Sequence, residues 1–193
     1  MPAERTYVAN MPPPASPTLM TADELLYVRV PDKKIELVRG RLIVRELPGF
    51  RHGRVTADLG VLLGTHLRAA GNRQVLVDEA GFKLASDPDT VRGPDLAVVS
   101  RERIPDPEPA GFLVLAPDLA IEVLSPGDRP GEVLAKVAEW LEAGTRLVWV
   151  IDPERRVARI YRADGSESVL TADRSLEGED VVPGFACALG SIL

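Results

Sequence analysis

Asp118-Leu119-Ala120-Ile121-Glu122-Val123-Leu124-Ser125-Pro126 reads as a strand that runs into a turn. From Leu119 to Leu124 its residues are apolar in both alternating positions except at Glu122, and turn-forming residues follow at Ser125-Pro126-Gly127-Asp128. A strand that is apolar on both faces belongs in the middle of a sheet covered by helices on each side. An ionised carboxylate in such a strand costs several kcal/mol unless it is paired or binds a metal. Glu122 therefore needs a partner, and an arginine or a divalent cation satisfies the need equally well on the residues alone.

Downstream, a helix is expected from Pro130 to Ala143, with proline tolerated in the first turn and Gly144 placed to stop it. Val133, Leu134, Val137 and Leu141 form its apolar stripe, and Lys136 falls at the stripe's edge, one turn before Trp140. A lysine there can bury its stem and send its ammonium toward the sheet end, where it could orient water or neutralise phosphate charge. The plainer reading is a surface lysine. Two further strands, Leu147–Ile151 and Val157–Tyr161, flank Asp152-Pro153-Glu154-Arg155, a hairpin in which Asp152 does turn chemistry.

Upstream, short strands are expected at Gln74–Asp78, Gly81–Leu84 and Pro94–Val99, between loops rich in Pro, Asp and Gly. Asp95 sits at the start of the last of these, as a turn cap or a second metal ligand. From His52 to Ala70 the residues Val55, Leu59, Leu62, Leu63, His66 and Leu67 keep helical spacing, and Gly71 ends the pattern. Ile35 to Val44 reads as a hairpin about Gly40, and Thr21 with Glu24 makes a capping box for a helix through Tyr27. Residues 1–17 hold five of the 17 prolines and no apolar period. Residues 1–18 are thus expected to be a flexible tail and 19–193 one domain of α/β class, a central mixed sheet flanked by helices.

Composition agrees with one globular domain: 193 residues, 45% hydrophobic and 27% charged. No run reaches the ~20 apolar residues of a membrane span, and the N-terminus lacks the pattern of a secretory signal, so a cytoplasmic protein is expected. The lone Cys187 excludes an internal disulfide and reads as a small buried hydrophobe. A net charge of −6 stands against a nucleic-acid partner. Against it stands a local run of Arg39, Arg41, Arg45, Arg51 and Arg54 with one acid, Glu46. Arg39, Arg41, Arg54 and His52 are candidate substrate contacts; a solvated hairpin face and a solvated histidine fit as well. His66 reads as a packed core residue. Ser125 lacks a nucleophile-elbow context and reads as a turn cap.

Four segments together carry a resemblance: Arg92-Gly93-Pro94-Asp95-Leu96-Ala97-Val98-Val99, the Asp118–Pro126 strand, the lysine-bearing helix ending Ala143-Gly144, and Val148-Trp149-Val150-Ile151-Asp152-Pro153. With Ile35–Gly40, His52 and Val182-Pro183-Gly184-Phe185, their order and spacing resemble the bacterial Uma2 family of endonucleases, part of the PD-(D/E)xK superfamily, over roughly residues 20–193. The resemblance implies a restriction-endonuclease-like fold, with Asp95 as the PD aspartate, Glu122 as the acid of the ExK element and Glu36 as a further acidic position. Leu124 stands where ExK would place lysine; Uma2-like chains carry it on the following helix, here Lys136. The expected activity is hydrolysis of DNA phosphodiester bonds by metal-activated water, with Asp95 and Glu122 holding Mg2+ or Mn2+. A catalytically silent nuclease-fold module that binds nucleic acid or a protein is the alternative, and a homodimer would serve an enzyme that cuts both strands.

Overall fold

The computed structural model describes residues 18–77 and 80–193; residues 1–17, which hold nearly all of the expected tail, and Asp78, the expected end of one strand, lie outside them. The elements run α1 (Ala22–Leu25), β1 (Lys33–Val38), β2 (Arg41–Glu46), α2 (Phe50–Ala70), β3 (Arg73–Val77), β4 (Phe82–Ala85), β5 (Thr90–Arg92), β6 (Leu96–Ser100), β7 (Leu119–Val123), α3 (Pro130–Glu142), β8 (Leu147–Asp152), β9 (Val157–Arg162), β10 (Glu167–Thr171), β11 (Ser175–Glu177), β12 (Ala186–Ala188) and α4 (Leu189–Ile192).

Local chemistry sets several of these boundaries. Thr21 Oγ1 accepts from the Glu24 amide at 3.2 Å while Glu24 Oε2 accepts from the Thr21 amide at 2.7 Å, closing the expected capping box. At the hairpin tip Arg39 and Gly40 take φ of 49° and 72°, the left-handed pair that a tight two-residue turn requires, and this brings Ile35 opposite Val44. Gly71, at φ 75°, ends α2 by donating its amide to the Leu67 carbonyl at 2.9 Å. Asp152 Oδ1 accepts from the amides of Glu154 and Arg155, as turn chemistry demands.

The main sheet has six strands in the order β10-β9-β8-β7-β6-β3, antiparallel except for the parallel pair β7 and β8 that α3 connects. A second sheet, β2-β1-β5-β4, carries the hairpin. Strand alternation divides the core of the main sheet. Leu96, Val98, Leu119, Ile121, Leu147 and Trp149 join Val55, Leu59 and Leu63 of α2, together with Leu176, Phe185 and Leu189 from the C-terminal segment. Ala97, Val99, Ala120, Val148 and Val150 face the other way, onto Val137 and Trp140 of α3. Each fully buried leucine contributes about 1.5–3 kcal/mol relative to exposure, so these two layers dominate stability.

Four expectations are corrected. Leu62 and Leu134 do not belong to the buried stripes, being 39% and 53% exposed; on α3 the buried positions are Val137 and Trp140. Ser125 does not cap its turn with its side chain: Asp128 Oδ2 accepts from the Ser125 amide at 2.7 Å. The short strands β5, β10, β11 and β12 and helix α4 were not anticipated. Cys187 is buried as expected, whereas His66 is only half-buried rather than a core residue, lying edge-on to Phe185 with Nε2 3.0 Å from the Pro183 carbonyl. No helix among the described residues is long and apolar enough to cross a membrane.

Candidate active site

Strand parity turns Glu122 away from the α2 layer and, with Ala120, toward α3. Lys136 and Trp140 stand four residues apart on α3 and so share one face of the helix. Both reach Glu122: Lys136 Nζ lies 2.9 Å from Oε2, and Trp140 Nε1 donates to Oε1 at 2.9 Å. Lys136 also donates to the Gly93 carbonyl at 3.2 Å and lies 3.1 Å from Glu36 Oε1. One ammonium thus ties together β7, β1, α3 and the turn between β5 and β6.

Glu36 projects from the middle of β1. Its Oε2 accepts from Arg92 Nη1 at 2.8 Å and its Oε1 from the Gly93 amide at 3.1 Å. Arg92, on β5, also donates through Nε to Glu139 Oε2 of α3 at 2.6 Å. Asp95, in the turn before β6, accepts from the Val123 amide through Oδ2 at 2.7 Å, while its Oδ1 lies 3.0 Å from His52 Nε2 and 3.5 Å from Lys34 Nζ. Glu36, His52, Arg92, Asp95 and Glu122 are each less than 10% exposed.

The cluster's charges act on one another in a region shielded from water. Burial pushes Glu122 up to about 7, with Lys136 opposing and the carboxylates of Asp95 and Glu36 adding to the rise. Burial would raise Glu36 too, but the Lys136 and Arg92 charges outweigh it and hold this acid below the usual range. For Asp95, hydrogen bonding and charge from His52, with the Val123 amide, overcome the same desolvation and depress it. Burial disfavours the Lys136 ammonium, yet Glu122 and Glu36 more than compensate and its affinity for the proton is raised.

Five of the residues singled out from sequence therefore meet: Glu36, His52, Asp95, Glu122 and Lys136. His52 is buried against Asp95, which corrects the expectation of a solvated histidine. The arginine run does not form one patch. Arg39 and Arg41 are exposed at the hairpin tip, Arg54 pairs with Asp58 at 3.1 Å, and of the run only Arg45 approaches the cluster, 3.8 Å from Glu36 and 3.2 Å from Glu132. Arg92, Glu139 and Lys34 also belong to the cluster and were not expected from the sequence. Parity along β1 puts Lys34 beside Glu36 and could have suggested it; nothing local to Arg92 predicts its two carboxylate partners.

The donor chemistry of the cluster suits a hard divalent cation. Asp95 Oδ2 and both oxygens of Glu122 each accept a single hydrogen bond, and a carboxylate oxygen has a second lone pair. No group of three or more His, Cys, Asp or Glu side chains able to hold a metal occurs among the described residues. A cation here would rest on Asp95 and Glu122 with water completing its shell, the sparse protein ligation that magnesium accepts.

The family model described as "Uma2: Putative restriction endonuclease" matches residues 22–190. The chain belongs to the Uma2 family. This Uma2 chain is also similar to a crystal structure from Anabaena variabilis ATCC 29413, described as a putative nuclease belonging to DUF820. The TM-score is 0.79 with 22% sequence identity, covering 90% of this chain and 97% of that one. At that identity the likeness establishes the fold, the restriction-endonuclease-like α/β arrangement. Among curated proteins none matches this sequence.

Proposed function

We propose that this Uma2 protein is a metal-dependent endonuclease that hydrolyses DNA phosphodiester bonds, with Asp95 and Glu122 holding Mg2+ or Mn2+. The observation that carries this reading is the convergence of Asp95, Glu122, Glu36 and Lys136 from four separate chain segments on one buried cluster. A bound divalent cation would supply Lewis acidity, lowering the pKa of water and neutralising phosphate charge.

The chain's own residues supply orientation and fixed charge. His52 and the Val123 amide hold both oxygens of Asp95. Trp140 fixes Oε1 of Glu122. Glu36 and the Gly93 carbonyl hold the Lys136 ammonium independently of Glu122, so Lys136 stays placed to meet a phosphate whatever else engages Glu122. An ammonium oriented in advance at a dry site costs no reorganisation as charge develops in the transition state. Glu36 is thereby a positioning residue for Lys136. Purified protein incubated with DNA and manganese beside Asp95→Ala and Glu122→Ala variants tests the proposal. Cleavage by the parent alone supports it, and equal cleavage by all three removes it.

One observation favours a silent nucleic-acid or protein-binding module instead: the carboxylates of Glu36, Asp95 and Glu122 are already hydrogen-bonded to protein donors. Calorimetric titration with millimolar magnesium separates the two, because a silent module gives no saturable heat.

A further inference from the structure

Beside the acidic cluster lies a cavity of about 280 Å³ between α1, the hairpin, β5 and the segment at 111–113. Leu25, Leu26, Val91 and Phe112 form apolar walls, and Glu36 and Arg92 line it as well. The Phe112 ring is held by close packing on Gly81, where a Cβ would stand 2.2 Å from the ring's Cδ1. Arg92 is 5% exposed, and among the described residues it donates through Nε to Glu139 and through Nη1 to Glu36. A guanidinium has five N–H donors, and no Arg92 nitrogen is sealed away without a partner. Its remaining N–H groups, on Nη1 and Nη2, have no acceptor among the described residues, and Arg92 is one of the residues that line the cavity.

We propose that this cavity receives one unstacked base of the DNA substrate and selects guanine. The proposal rests on the nuclease reading of the neighbouring cluster and names what that site recognises. A flipped base needs walls of aromatic and aliphatic side chains and a polar group at its edge. The two adjacent acceptors of guanine, O6 and N7, match a guanidinium fork. The volume lies just below the range of about 300–1,000 Å³ for larger ligand sites, a fit for a single base. Position supports the same occupant. Glu36 accepts from Arg92 through Oε2 and lies 3.1 Å from Lys136 through Oε1, so a single carboxylate separates the cavity's donor from the ammonium assigned to the phosphate. Base and phosphate of one nucleotide could occupy the two places together.

The test titrates the full chain with dGMP, with its 7-deaza analogue and with 2-deoxyribose 5-phosphate, in manganese. dGMP should bind roughly ten-fold or more tightly than the other two. Leu26→Trp, which fills the cavity, should erase that preference while leaving sugar phosphate binding unchanged. Equal binding of dGMP and the deaza analogue overturns the proposal without any variant needing to fold. A second arm distinguishes a base of the substrate from a free nucleotide: oligonucleotides with one guanine should be cut beside it, and 7-deazaguanine there should abolish the preference. Selective dGMP binding with cleavage indifferent to guanine also overturns the proposal. Selective binding with no cleavage of any DNA sinks the nuclease reading and leaves guanine recognition standing, whereas cleavage without base preference does the reverse.

Discussion

Replacing Lys136 by Met removes the one cation that contacts Glu122 among the described residues, and of the donors described there leaves Trp140. Glu36 suffers less, because Arg92 and the Gly93 amide remain. The consequence can be worked out for metal-free protein. Glu122 is raised from an ordinary 4.5 to about 7 in the folded state. A carboxyl raised on folding contributes stability that is fully present below 4.5 and is lost as pH rises through about 7. In the parent this loss levels off above about 7. In Lys136→Met the acid keeps its proton to higher pH, so the loss continues at about 1.4 kcal/mol per pH unit. Near pH 5.5 Glu122 is protonated in both folded proteins and the pH-dependent part of the difference is about zero. Near pH 8.5, about 1.5 above the parent value, it reaches roughly 2 kcal/mol. A pH-independent cost from the weakened Glu36 site adds at both values. Urea unfolding in chelator measures both, and with a slope of about 1–3 kcal/mol/M the midpoint should fall by roughly a further 1 M at the alkaline pH. An equal loss at both pH values, or a larger one in acid, would refute the reasoning.

Three other perturbations have definite expected outcomes. Trp140→Phe keeps most of the buried surface but takes the indole N–H from Glu122, so urea unfolding near pH 8 should show a loss of about 1–3 kcal/mol, smaller near pH 5.5 where the acid is neutral. His52→Ala takes from Asp95 Oδ1 its nearer partner and leaves Lys34 at 3.5 Å, and calorimetry should show manganese affinity reduced about 10- to 100-fold, with circular dichroism unchanged. Unaltered affinity would show that the histidine does not position Asp95. Leu63→Ala should cost about 2–5 kcal/mol, whereas its exposed neighbour Leu62→Ala should stay within about 0.5 kcal/mol; thermal unfolding of the pair checks the orientation of α2.

Elements whose ends are written in local chemistry were legible in the sequence. Gly71 closing α2, the Thr21–Glu24 box and the left-handed pair at Arg39 and Gly40 each need only neighbours within a few residues. β7 was legible because both of its faces are apolar, and that same feature made Glu122 conspicuous. The strands that escaped are short and lie at margins: β5 has three residues, and β10 to β12 alternate with exposed polar positions that resemble loop. On α3 the apolar spacing favoured Leu134 over Trp140, since an indole was not weighed as core; the sheet face opposite decides the matter by accepting the ring and its N–H. In the site, Asp95, Glu122 and Lys136 stood out because each is a charge in an apolar setting, whereas Glu36 stood out only through the family resemblance. Partner identities did not. His52 meets Asp95, and Arg92 meets Glu36 and Glu139, across tens of residues of chain, and no local pattern encodes such a meeting.

Asp95 and Glu122 are proposed to share one divalent cation beside the Lys136 ammonium. Crystals soaked in manganese test this by anomalous scattering. One peak within about 2.3 Å of a carboxylate oxygen from each acid, lost in Glu122→Gln, is the predicted result. No peak there at millimolar manganese, with the contact of Lys136 to Glu122 unchanged, would contradict it.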